Sequence, residues 1–535
     1  MSSKFQHCLK RWIEKSEALK TELCHWETAA VSLGELSASP TDWQGARIQE
    51  TEPLLAASVP HGYQKGDHFI VIFPETVVGR LHFKVIAENG YGDSPTWLRM
   101  RFAELPGELK HWDDPFTGIL NCAWLQEDTI HIDNLPADVT LPRRYSCRYV
   151  EFEVLGSPGK VQIFDIGMTM EAAVQDIPVL PWVSSSLDAS IERMCLRTIR
   201  NCFQTCPEDG AKRDRRLWGG DLRIANLLNH CSFKRYDLIE RGLFLLAGNA
   251  MDDKLPGCVF ERPTPRPGCL LHDYSLLFSV ILEEYCRLTG KYEIGSELFD
   301  IAAEQFLLIQ QYFHNDLFKM PSNNSWDFFI DHCRVLEKEA AFQGLAVFSL
   351  QALLRLGEAL GIQESRLSSF RQLKERWLNA GRVAFYNAEK GLVICNGQVS
   401  YASQIWFVLG GLLTEEEGSR ALKTIEGIDD AVKPKTPYLA FSLLEAYEKC
   451  GDTKAIHAFI QNYWGGMIAK GADTCWEAYV PDDPFFSPYD DFRLNSACHV
   501  WSAGAIWFLR NKGAVAKNNY VSAEAALTQV EQLVE

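Results

Sequence analysis

No uninterrupted apolar run in this chain reaches the roughly 18 residues that a membrane-spanning helix needs, although 47% of its 535 residues are hydrophobic. A membrane is therefore not an expected partner. Basic residues are in deficit. The chain has 53 Lys and Arg against 70 Asp and Glu, a formal charge of −17. That balance repels polyanions and argues against a nucleic-acid partner. The opening segment, MSSKFQHCLKRWIEKSEALK, lacks the apolar stretch and small-residue cleavage site of a secretory leader. Cysteine is not scarce, but paired spacing is. Of sixteen cysteines, only Cys202 and Cys206 form a tight pair, and no second pair or histidine stands at zinc-site spacing. No metal is expected. The other cysteines are scattered, several on helix-like apolar runs, as with Cys195, Cys286 and Cys450. Free thiols in a reducing cytoplasm are the expectation. Phosphate-loop and dinucleotide glycine fingerprints are missing, as is a serine-nucleophile elbow. Gly219-Gly220-Asp221 lacks the Lys-Ser/Thr that a phosphate loop requires. No cofactor is expected. The oligomeric state is left open, a homo-oligomer included.

What is present falls into two halves with different periods. From about residue 63 to 174, short β-branched and aromatic runs alternate with Gly, Pro and Asp breaks, at 68–73, 80–87, 96–103, 128–133, 147–154 and 161–170. Several such strands in a row predict an antiparallel β-sandwich. The first 60 residues form a separate N-terminal segment that opens with a short amphipathic helix. From 186 onward the apolar period is helical. Twelve helices are predicted, at 186–204, 219–231, 234–249, 273–290, 292–314, 337–361, 364–386, 400–412, 414–426, 436–450, 453–465 and 494–511. The connections alternate in length. Those after even-numbered helices are short and carry stop and start signals, such as Gly290 and the Thr414/Glu417 capping box. Those after odd-numbered helices are mostly long: 205–218, 250–272, 315–336, 387–399, 427–435 and 466–493. Six hairpins with all long loops at one end describe an (α/α)6 toroid. The domain plan is thus an N-terminal segment (1–60), a β-sandwich (61–185), a toroid (186–512) and a polar tail (513–535) able to form a short helix.

The long loops and the inner-helix N-termini carry the chemistry-bearing residues. The first loop, CPEDGAKRDRRLWGGD, supplies Asp209, Arg213, Asp214, Trp218 and Asp221. Later loops and helix starts supply Asp273 and Tyr274, Trp326 and Asp331, Trp406, Trp476 and Glu477, and His499. Aromatic rings beside carboxylates suit a carbohydrate. The rings stack on sugar C–H groups and the carboxylates bind hydroxyls. Two opposed carboxyls can also hydrolyse a glycosidic bond by acid/base catalysis. Each residue has a structural alternative. The tryptophans fit a core, Asp221 and Asp331 fit helix caps, His499 fits an apolar helix face, and the Arg-Asp-Arg-Arg run fits an ion-paired strut.

The segment CPEDGAKRDRRLWGGDL (206–222) resembles the signature of the bacterial α-L-rhamnosidases, glycoside hydrolase family 78, whose usual form is D-C-P-Q-R-D-E-R-L-G-W-T-G-D. The segment YWGGMIAKGADTCWEAY (463–479) resembles the family's late G-A-T-T-x-W-E motif. The resemblance runs from about 60 to 520. It implies an inverting exo-hydrolase that removes a terminal α-L-rhamnosyl unit, with a sandwich preceding the toroid. Asp209 takes the place of a sugar-binding Asp, and Arg213-Asp214 the place of the family's Arg-Asp. Trp218 and Asp221 take the Trp and last Asp, with one residue fewer between Leu217 and Trp218. Glu477 falls on the general base. The family's general acid is the Glu after Arg-Asp. Here that position is Arg215, which gives up no proton at neutral pH. The acid is then Asp214 or Asp209, with Asp214 preferred for its place beside the family position. The competing expectations are a hydrolase for another terminal sugar such as a uronate, and a non-catalytic carbohydrate-binding protein on the same scaffold.

Overall fold

The computed structural model describes residues 4–54, 61–88, 94–178, 185–323 and 325–511. The expected tail at 513–535 lies outside the described residues. The expected N-terminal helix is α1 (Gln6–Ala18). It packs on the toroid, where Trp12 donates to Glu297 at 3.0 Å and Arg241 donates to the Ser16 carbonyl at 3.0 Å.

The sheet begins at Cys24, inside the segment expected to precede it. Its strands are β1 (Cys24–Ala29), β2 (Ser32–Ala38), β3 (Ala46–Pro53), β4 (Gly62–Tyr63), β5 (His68–Ala87), β6 (Thr96–Ala103), β7 (Glu127–Ile132), β8 (Ala137–Thr140), β9 (Tyr145–Gly156) and β10 (Val161–Ala172). The runs at 68–73 and 80–87, expected as two strands, are one. Strand β5 has 20 residues and breaks register between Ile72 and Val77. Its first part pairs with β2 and β9, and its last part with β10 and β8, all antiparallel. This strand therefore passes from one layer of the sandwich to the other. That is why its side chains are buried on both faces and the sequence reads as nearly continuous apolar. Val71, Phe73, Phe83, Met100, Phe152 and Met168 fill the space between the layers.

Helix α2 (Pro106–Lys110) lies in the sandwich, and the toroid begins at α3 (Ser186–Cys202). It continues through α4 (Gly219–His230), α5 (Tyr236–Gly248), α6 (His272–Thr289), α7 (Tyr292–Leu308), α8 (Glu339–Ala359), α9 (Glu364–Phe385), α10 (Tyr401–Leu409), α11 (Glu415–Ile425), α12 (Pro437–Lys449), α13 (Thr453–Ala469) and α14 (Ala505–Arg510). The even helices pack side by side in a closed inner ring, α4 on α6, α6 on α8, α8 on α10 and α10 on α12. The segment Val500–Arg510 completes the ring by packing between α12 and α4. The sequences separate the two rings. Outer helix α9 buries one stripe, Leu367, Phe370, Leu373, Trp377, Gly381 and Phe385, at helical spacing. Inner helix α4 buries every residue from Gly219 to Asn229. Inner helix α8 is the one described helix long and apolar enough to span a membrane, with mean hydropathy 1.3. Yet 83% of that stretch is buried inside the protein.

Local signals act where expected. Gly290 ends α6 at φ 73°, Thr414 and Glu417 form a capping box on α11, and Asp452 caps α13. The twelfth helix is shorter than the predicted 494–511. Leu494 closes a short 3-10 turn (Phe492–Leu494), residues 495–499 are not helical, and a second 3-10 turn at Val500–Gly504 leads into α14. His499 pairs across to Gly210 as an isolated bridge. Its backbone N–H donates to the Cys475 carbonyl at 2.9 Å.

Candidate active site

A cavity of about 790 Å³ opens at the long-loop end, a size that suits a small ligand. Loops 205–218, 250–272, 315–336 and 466–493 all line it, together with the N-terminal ends of inner helices α4, α6 and α8. The sandwich contributes Leu120 and Trp124.

The first loop is knitted by Asp209. Its Oδ1 accepts the Arg216 N–H and its Oδ2 the Asp214 N–H, both at 3.0 Å. Burial, reinforced by the Asp214 charge, raises Asp209 to about 8. The Gly-Gly pair is a packing requirement. A Cβ on Gly220 would stand 2.4 Å from the Tyr274 ring, so only glycine lets α4 start against that ring.

Arg213 is the hub. It donates to the Leu494 carbonyl at 2.7 Å and to Asp214 Oδ1 at 2.9 Å. Its Nη2 reaches Glu477 Oε1 at 2.7 Å and Oε2 at 2.8 Å. It also lies 4.0 Å over the Tyr489 ring. One guanidinium thus holds two carboxylates on the cavity wall without letting them touch. Glu477 further accepts the Tyr489 hydroxyl at 2.5 Å and the Ser496 N–H at 2.8 Å. Burial pushes this carboxyl up, but Arg213, with His499 and His332, outweighs it and holds Glu477 at about 2. It is ionised at neutral pH, as a base must be. Burial also lowers His332 to about 4 and His499 to about 3, so both imidazoles are neutral.

The other loop cations turn elsewhere. Lys212 donates to Glu108 at 2.6 Å and to the Asn495 carbonyl at 3.0 Å, joining toroid to sandwich. Arg215 donates to the Ala211 and Lys212 carbonyls at 3.1 Å and to Gln126 of the sandwich at 3.2 Å. The side chain at the family's acid position is therefore a strut. Arg216 lines the cavity.

Among the described residues, three buried polar atoms on the cavity lack a hydrogen-bond partner: Trp218 Nε1, Asp221 Oδ1 and His499 Nδ1. The last two stand 3.6 Å apart. Such groups cost free energy unless a ligand satisfies them. A donor beside acceptor-capable atoms suits a ligand bearing hydroxyls. Burial raises Asp221 well above the usual carboxylate range, with Asp209 adding to it, so its protonated form can donate as well.

Ten of the thirteen expected site residues line the cavity: Glu477, Asp214, Asp209, Arg213, Trp218, Asp221, Tyr274, Trp326, Asp331 and His499. Asp331 has little spare capacity there, since Thr436 Oγ1 at 2.6 Å and the Lys435 N–H at 2.8 Å occupy its oxygens. Three residues do not line it. Asp273 is fully buried behind the wall, where it accepts the N–H groups of Phe329 and Ile330 and so fixes loop 315–336. Trp406 is core, packed beside Phe348. Trp476 turns away from the cavity and stacks on Trp43 at 5.3 Å. Sequence reasoning missed His332 and Tyr489, which meet at 3.1 Å beside Glu477. His332 lies one residue after the chosen Asp331, and Tyr489 sits in the same loop as Glu477.

Residues 30–172 match the model of the glycosyl hydrolase family 78 alpha-rhamnosidase N-terminal domain. Over 94% of this chain, and 99% of the other, the fold follows a rhamnosidase from Klebsiella oxytoca with rhamnose bound, at 32% identity and a TM-score of 0.90. The chain belongs to the family 78 α-rhamnosidases. It is a glycoside hydrolase. Two other members share the fold at lower identity. The family 78 rhamnosidase of Bacillus sp. GL1 is 17% identical with a TM-score of 0.72, and the Streptomyces avermitilis α-L-rhamnosidase is 16% identical with a TM-score of 0.61. This family 78 chain spans 49% and 45% of those two longer chains. No curated protein sequence matches it.

Proposed function

We propose that this family 78 hydrolase removes a terminal α-L-rhamnosyl unit with inversion at the anomeric carbon. The carrying observation is Arg213 between Asp214 and Glu477. Inversion needs a base that activates water on one ring face and an acid at the leaving oxygen on the other. Their separation must leave room for that water, about 6.5–9.5 Å. An interposed guanidinium keeps two carboxyls apart in this way. Glu477 is the base. It is ionised, and the Tyr489 hydroxyl and Ser496 N–H orient it. Asp214 is the acid. Both oxygens of Asp209 are tied to backbone N–H groups, whereas Asp214 lines the cavity and its Oδ2, with Arg216 at 3.7 Å, accepts no hydrogen bond from the described residues. Trp218, Asp221 and His499 hold the sugar hydroxyls. The close relative with rhamnose bound supports the choice of sugar. The wall formed by the inner ring behind the cavity supports exo action. Sixteen free thiols support a cytoplasmic setting.

Hydrolysis of an aryl α-L-rhamnoside followed by NMR tests this reading. β-L-rhamnose should appear first. Glu477→Gln should lose about 10²-fold or more in kcat. Asp214→Asn should lose most on a poor leaving group. First appearance of α-L-rhamnose, or near-normal turnover by Glu477→Gln, refutes the inverting scheme. If Asp209→Asn alone abolishes turnover, Asp209 is the acid.

A further inference from the structure

The three arginines of the first loop have different fates. Arg213 and Arg215 spend their donors on protein oxygens. The Arg216 guanidinium makes no hydrogen bond to any described residue, although it lines the cavity and is 24% exposed. Its nearest carboxylate oxygen is Asp214 Oδ2 at 3.7 Å. Arg213 holds the other oxygen of Asp214 and bridges to Glu477. Arg216 therefore lies on the side of Asp214 turned away from the base, where the leaving group must sit.

Aromatic rings fix its position. The guanidinium is 4.1 Å over the Phe260 ring and 5.9 Å from that of Trp124. Arg266, whose guanidinium donates to the Arg262 carbonyl, stands 4.7 Å over the same Phe260 ring. No described carboxylate forms an ion pair with Arg266. A chain of net charge −17 thus places two arginines around one ring, and the nearer of them, Arg216, lines the cavity. Such a planar, weakly hydrated donor fork suits a carboxylate.

We propose that Arg216 forms a leaving-group subsite for an acidic aglycone, so that the preferred substrates are rhamnosides of a uronate. The carboxylate belongs to the departing sugar, not to the terminal one. The proposal rests on the rhamnosidase reading and on Asp214 as acid. Arg216 acts on specificity: its pairing with the aglycone carboxylate positions the glycosidic oxygen beside Asp214.

The test compares kcat/KM for α-L-rhamnosyl-(1→4)-D-glucuronate and for its neutral methyl ester. The acid should be preferred about 10- to 100-fold, and the preference should shrink with added salt. In Arg216→Gln the ratio of the two values should fall toward one. Using the ratio cancels any general loss from disturbing the loop. Hydrolysis of both substrates by the wild type at similar rates overturns the inference and leaves the rhamnosidase reading intact. So does an acid preference that survives in Arg216→Gln. No hydrolysis of either substrate, or of an aryl rhamnoside, overturns both.

Discussion

Replacing Arg213 by Gln tests the hub of the site. The substitution removes the cation that contacts both Glu477 oxygens and Asp214 Oδ1. Burial, the largest influence on Glu477, then pushes its pKa up. His332 and His499 are neutral over most of the working range and do not replace the lost charge. Glu477 should leave its native value of about 2 and rise above the ordinary carboxylate range. A base works only when ionised. The wild type should therefore show no acid limb from Glu477 anywhere near neutrality, while Arg213→Gln acquires one. Stability changes in the same experiment. Removing one partner of a buried pair costs about 3–5 kcal/mol. In the wild type the depressed Glu477 contributes stability above the unfolded pKa of about 4.3, and that contribution fades as pH falls toward 2. In the variant the raised pKa reverses the slope, and stability from this group declines as pH rises. The assay is a pH profile of kcat/KM on an aryl α-L-rhamnoside, with denaturant melts at each pH. A variant whose acid limb coincides with the wild type's, or which loses less than about 1 kcal/mol, would refute this account of the hub.

Arg223 bridges α4 to Glu284 of α6 and Glu445 of α12 in the buried centre of the ring. Arg223→Met should lower the unfolding free energy by about 3–5 kcal/mol, measured by denaturant titration. Gly220→Ala sets a methyl group 2.4 Å from the Tyr274 ring. It should cost about 1–3 kcal/mol of stability and weaken rhamnose inhibition, since Tyr274 lines the cavity. His499 is buried neutral with its pKa lowered to about 3. Its stabilising contribution is full above the unfolded pKa of about 6.5 and is lost as pH falls toward 3. His499→Gln should therefore flatten the acid side of the stability profile, by at most on the order of 5 kcal/mol; an unchanged slope between pH 6.5 and 4 would contradict the buried neutral imidazole.

The architecture was legible because loop length is a topological quantity. Short connections force antiparallel neighbours, so alternating short and long loops must put the long ones at one end, and the closed inner ring follows from six such pairs. The site was legible only where motif residues share a loop. Asp209, Arg213, Asp214, Trp218 and Asp221 stand within one turn-rich segment, so their common position on the cavity follows from chain continuity. Side-chain direction on an inner helix does not. Such a helix is apolar all round, so periodicity cannot tell the face that meets the cavity from the face that meets an outer helix. Trp406 and Asp273 were misplaced for that reason. Trp476 was misplaced because its partner, Trp43, comes from a segment more than 400 residues away in the chain and outside the toroid. The same reasoning explains the acid position. A signature Glu and Arg215 occupy equal places in a linear motif, but at φ 61° the backbone of Arg215 is left-handed, and its side chain runs back to the Ala211 and Lys212 carbonyls and to the sandwich. Putting a Glu at 215 would not restore an acid on the cavity. It would place a carboxylate among carbonyl oxygens beside Glu208 and remove a strut between the two domains. On the proposed reading the catalytic proton comes instead from Asp214, which lines the cavity beside Arg216.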